Sequence, residues 1–115
     1  DRTAFVKAGR RPCPPDTTSL KTQDLQGKMT SVRFLNEVDA DVRMSWVDSE
    51  GGEQWMDTIG AGDVHNVETF PGHVFAFHAM PSGRLVAEHR VPRKVTNGTE
   101  FRIKSCDGMD ASIFE

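Results

Sequence analysis

The 115-residue chain has no tyrosine, two cysteines and no basic excess: 14 Lys and Arg stand against 17 Asp and Glu, a net charge of −3. Each shortage excludes something. Scattered cations on a net-negative chain leave no electrostatic footprint for nucleic acid, and the small group Lys7, Arg10 and Arg11 reads as a solvated arm. No apolar run approaches the roughly 20 residues that span a bilayer. No Cys-x-x-Cys pair is present, and His65, His73, His78 and His89 lack the close spacing of His-x-x-x-His sites. No metal and no cofactor is therefore expected. There is no Gly-x-Ser-x-Gly elbow and no phosphate-binding glycine loop. The carboxylates gather in turns, where solvation accounts for them, so neither nucleophilic nor two-carboxylate catalysis has a candidate centre. A binding module is the expected class, not an enzyme.

What the chain does have is short β-prone stretches. Residues 30–36, 42–47, 54–59, 63–70, 73–78, 84–91 and 99–105 are rich in β-branched and aromatic side chains. Turn signals separate them: Asp48 to Gly52, Gly60-Ala61-Gly62, Pro71-Gly72, Pro81-Ser82-Gly83 and Asn97-Gly98. This spacing predicts an all-β fold, a small antiparallel β-sandwich of seven to eight strands. Antiparallel pairing is expected because the connections are too short for parallel crossovers. Only residues 61–67 and 109–114 leave room for a turn of helix. Arg11-Pro12-Cys13-Pro14-Pro15 forbids regular structure. The expected organisation is an irregular arm over 1–18, one β-sandwich domain over 19–106 and a tail over 107–115.

Cys13 and Cys106 flank the strand-rich region, where a disulfide between them would clasp its two ends. Closing so long a loop is worth about 4–5 kcal/mol in the chain-entropy model. Asn97-Gly98-Thr99 is an N-glycosylation acceptor triplet, and Asn-Gly is equally the favoured pair for a type I′ hairpin turn. The chain starts at Asp1 and shows no signal peptide, as after removal of a leader or excision of a domain. Together these features point to a secreted or extracellular-facing protein.

Aromatic and polar side chains concentrate between Trp46 and Phe77. Strand alternation sets His73, Phe75 and Phe77 on one face and Val74 and Ala76 on the other. The same parity sends His78 to the side opposite His73. Thr69-Phe70-Pro71-Gly72 adds a hydroxyl and a ring just before this strand, and Trp46 and Trp55 flank the preceding hairpin. Buried Trp and His need hydrogen-bond partners, which a polar ligand supplies.

These residues resemble a known family. Val32-Arg33-Phe34-Leu35-Asn36, Val42-x-x-x-Trp46-Val47-Asp48-x-x-Gly51, Gly62 and Thr69-Phe70-x-Gly72-His73-x-Phe75, in that order, look like the β domain of the von Hippel–Lindau tumour suppressor. Leu85-Val86 and Val91-Pro92 are similar to its closing strands. The resemblance spans about residues 19–105. It implies a sandwich that recognises 4-hydroxyproline in a peptide or protein. Trp46, Trp55 and Phe75 would form the floor and walls, and Thr69 and His73 would take the places of the family's serine and histidine. Phe70 would occupy a tyrosine position. This chain departs from the pattern where Trp55 and Phe70 replace tyrosines, Phe75 replaces a tryptophan and Glu68 stands for a histidine. The family's helical α domain, which docks Elongin C, has no room in the residues after the last strand, so Elongin C and a ubiquitin-ligase role are not expected.

Two alternatives keep the fold. The two tryptophans would form a carbohydrate-binding platform if their indoles were exposed and coplanar. In a purely structural domain the same aromatics would be core.

Overall fold

The computed structural model describes residues 12–15, 18, 20–93 and 99–106. Among them the regular structure is all β: β1 (Thr30–Asn36), β2 (Val42–Val47), β3 (Glu53–Ile59), β4 (Val64–Thr69), β5 (Val74–Ala79), β6 (Arg84–Arg90) and β7 (Thr99–Ile103). Every stretch read as a strand is one, with ends shifted slightly. The turn of helix allowed at residues 61–67 gives way to a turn followed by β4. The other allowed turn of helix, the tail and Asn97 lie outside the described residues.

The strands form a three-stranded sheet, β4-β1-β7, and a four-stranded sheet, β3-β2-β5-β6. One pairing departs from expectation. β1 and β7 run parallel, Val32 opposite Thr99 and Asn36 opposite Ile103. The argument from short connections holds only for strands adjacent in sequence. β1 and β7 are joined through the whole of the domain between them, so no short link constrains their direction.

Alternation explains the core. Val32 and Phe34 of β1, Val42 and Met44 of β2, and Phe75 and Phe77 of β5 point between the sheets. Phe34 lies 5.3 Å from Phe75 and 5.0 Å from Phe77, ring centre to ring centre. Aromatic pairs in this range add to simple burial. β5 is apolar on its other side too. Val74 and Ala76 join Val47 and Leu85 in a second cluster on the outer face of the four-stranded sheet.

That outer cluster stays dry because the segment before β1 crosses it as a strap. Leu20 packs on it. Gln23 N–H donates to the Gly72 carbonyl at 3.0 Å, and the Thr22 hydroxyl accepts from Val74 N–H at 2.9 Å. Arg90 Nη2 donates to the Lys21 carbonyl at 2.9 Å, and the Thr18 hydroxyl bonds the Glu88 carboxylate. Farther out, Cys13 and Cys106 are joined by a disulfide across 93 residues. The end of the arm is thus irregular but fastened.

Buried Asn36 ties the sheets at one rim. Its Nδ2 donates to the carbonyls of Ala40 at 2.8 Å and Ile59 at 2.9 Å, and its Oδ1 accepts from Val38 N–H at 2.9 Å. The side-chain amide reaches one strand end and two positions of the β1–β2 loop, and so satisfies three backbone groups that water would otherwise have to pair.

Candidate functional site

Three of the six candidate ligand-binding residues meet at the rim where β4 passes into β5. His73 lies between two rings. Its centroid is 5.9 Å from that of Trp46 and 5.6 Å from that of Phe70. The turn that carries Phe70 and His73 is locked by backbone bonds: His73 N–H donates to the Phe70 carbonyl at 3.2 Å, and Val91 N–H donates to the His73 carbonyl at 2.9 Å. Gly72 sits between them at φ +89°, and a Cβ there would collide with the Gln23 carbonyl and the Leu25 side chain. Only glycine allows the strap to cross this close.

The exposures of the three differ in a useful way. Phe70 keeps 43% of its surface open, whereas Trp46 is half-buried against the main core. The Trp46 indole Nε1 is buried and has no acceptor among the described residues. Burial holds the His73 imidazole below its ordinary value, against an opposing pull from Asp24. Near neutral pH the ring is therefore the uncharged form, which carries one donor and one acceptor nitrogen.

Thr69 ends β4 opposite Thr30 and is buried, 3% exposed. It shares parity with the core residue Val67, so it faces the space between the sheets at this same rim.

The other two candidates lie elsewhere. Phe75 is 2% exposed and packs on Phe34, so it supports the site from within the core and does not form a wall. Trp55 is on the wrong side of the sheet. From Val42–Ile59 to Met44–Asp57 the β2–β3 register is regular, and continued it would set Trp46 opposite Trp55. Instead the register shifts: Ser45 pairs with Trp55 and Trp46 with Gln54, leaving Met56 without a partner. A one-residue bulge reverses the facing of everything beyond it. Trp46 turns to the core face and Trp55 to the outer face, 58% exposed. The two indoles accordingly form no shared platform, which removes the carbohydrate alternative in that form.

On that outer face is a concavity of about 340 Å³ lined by Arg43, Ser45, Glu53, Trp55, His78, Met80 and Gly83. The Arg43 guanidinium carbon lies 5.6 Å from the Trp55 ring centre. Glu53 Oε1 meets His78 Nε2 at 2.8 Å, and His78 Nδ1 meets the Gly83 carbonyl at 2.8 Å. The sequence carries a partial signal for this group, the opposite parity of His73 and His78. Glu53 and Arg43 carry none, since charged residues at a strand end and on a solvent-facing position look ordinary. No set of three or more His, Cys, Asp or Glu side chains able to hold a metal ion occurs among the described residues. No protein-family model matches the chain, and no curated protein matches its sequence.

Proposed function

We propose that this domain is a non-catalytic peptide-recognition module of an oxidising, extracellular-facing environment, and that it binds 4-hydroxyproline at the rim formed by Trp46, Phe70 and His73, with Thr69 behind them. The observation that carries this reading is the placement of an uncharged imidazole between two aromatic rings. A pyrrolidine ring is apolar on both faces and stacks on flat rings such as Phe70. Its hydroxyl can donate to the acceptor nitrogen of His73. The unpartnered Trp46 N–H supplies a donor for a ligand oxygen. The resemblance to the von Hippel–Lindau β domain supports the same ligand through Trp46, Thr69 and His73. Trp55 and Phe75 take no direct part, so the site is smaller and more open than the family pattern implies. The Cys13–Cys106 bond fits a secreted protein.

Unmodified proline would leave the polar groups of the site unpaired, at a cost of about 1–3 kcal/mol. Calorimetric titration with a short peptide carrying one 4-hydroxyproline, and with its prolyl twin, tests this. The hydroxylated peptide is expected to bind roughly tenfold or more tightly, and His73→Ala to erase the difference. Equal binding of the two peptides, or none of either, would overturn the assignment.

A further inference from the structure

The outer-face concavity is chemically unlike the rim site and lies on the other side of the four-stranded sheet. We infer that it binds a saccharide unit bearing a carboxylate, stacked on Trp55 and paired with Arg43. The volume, about 340 Å³, falls at the small end of the ~300–1,000 Å³ range of ligand sites. Its apolar lining comes from Trp55 and Met80, and the remaining side chains are a guanidinium, a hydroxyl, a carboxylate and an imidazole. A pyranose matches that mixture. One face is a set of C–H groups suited to an indole, and the edge is a ring of hydroxyls that need donors and acceptors in several directions. An extended apolar peptide does not match it.

Charge narrows the class. Glu53 and His78 satisfy each other. Arg43 lies against the Trp55 ring and has no carboxylate partner among the described residues. The cation is held in place by a cation–π contact, and its fork of N–H donors remains free for a carboxylate. The indole is still 58% exposed with the guanidinium against it, which leaves surface for a sugar ring. A neutral sugar would forgo the Arg43 pairing, so a uronic acid is preferred over its neutral counterpart.

The test uses tri-galacturonic acid and neutral galactotriose as probes. Trp46→Phe leaves Trp55 as the single indole of a chain with two tryptophans, so its emission reports this face alone. The acidic trisaccharide is expected to shift that emission saturably and to bind at least about fivefold more tightly than the neutral one. Calorimetry on the unmodified protein gives the same comparison without relying on that variant. There, Trp55→Ala is expected to weaken acidic-sugar binding at least about tenfold, and Arg43→Gln to bring the acidic sugar down to the neutral level. Absence of any response, equal affinity for the two sugars, or full binding by Trp55→Ala would each overturn the inference.

Discussion

Glu53 and His78 belong to strands that do not pair, yet their side chains meet at 2.8 Å across the intervening strand β2. The other ring nitrogen of His78 faces the Gly83 carbonyl at 2.8 Å. Each imidazole nitrogen thus faces an oxygen that can only accept. This bridge braces the edge strand β3 against the centre of the sheet and ties in the turn before β6. Both partners are partly open to water, with side-chain exposures of 17% and 26%, so the Coulombic contribution is discounted for solvent screening. A double-mutant cycle with Glu53→Gln and His78→Gln, read by denaturant unfolding, should give a coupling of about 1 kcal/mol that shrinks as salt is raised.

His89 sets a pH dependence of stability. Its ring stacks on Phe101 with centres 4.3 Å apart, its Nε2 is buried with no partner among the described residues, and burial lowers its folded-state value from 6.5. His73 shifts in the same direction, chiefly from burial. A depressed folded value means the unfolded chain takes up the proton first. Stability from these two groups is complete above the unfolded value near 6.5 and is lost as pH falls through the folded values. Thermal unfolding between pH 7.5 and 5 should show a falling midpoint, and His89→Leu should flatten the slope. A slope unchanged in that variant would assign the effect to other groups.

Binding at the rim should share that direction for a different reason. Protonation of His73 removes the acceptor that the ligand hydroxyl needs. The preference for the hydroxyprolyl peptide should therefore weaken as pH falls through the folded value of His73, even where calorimetry and circular dichroism show the domain still folded.

Asn36 offers a direct test of the rim that it ties together. Replacing it with alanine strands the Ala40 and Ile59 carbonyls and the Val38 amide. The loss of three bonds, with one partner of each left behind, should cost about 2–4 kcal/mol in urea unfolding. Asn36→Asp should recover only part of it, because a carboxylate can accept from Val38 N–H but cannot donate to two carbonyls.

The strands, their approximate ends and the inward face of β5 were legible in the sequence, because turn residues and two-residue alternation are local signals. The placing of Trp46 and His73 in one site came from the family resemblance alone, because the β2–β5 pairing that brings them together, Trp46 opposite Phe75, is a non-local contact. The position of Trp55 was not legible. Met56 is neither glycine nor proline, and nothing in its neighbourhood marks it as the unpaired residue. The parallel β1–β7 pair was equally hidden, because it depends on closure of the whole chain. Phe75 was read correctly as facing the His73 side. How deep it sits depends on Phe34 in the other sheet, which strand periodicity does not report.

The bulge at Met56 has an evolutionary reading. β3 is an edge strand, bonded on one side only, so gaining or losing one residue there disturbs a single ladder and leaves the centre of the sheet intact. Such a change acts on Trp55 like a switch between two addresses. With the extra residue the indole serves the outer surface. Without it, the same side chain would lie beside Trp46. A single codon inserted or deleted in β3 would thus move this indole from one face of the sheet to the other, with no substitution in the core.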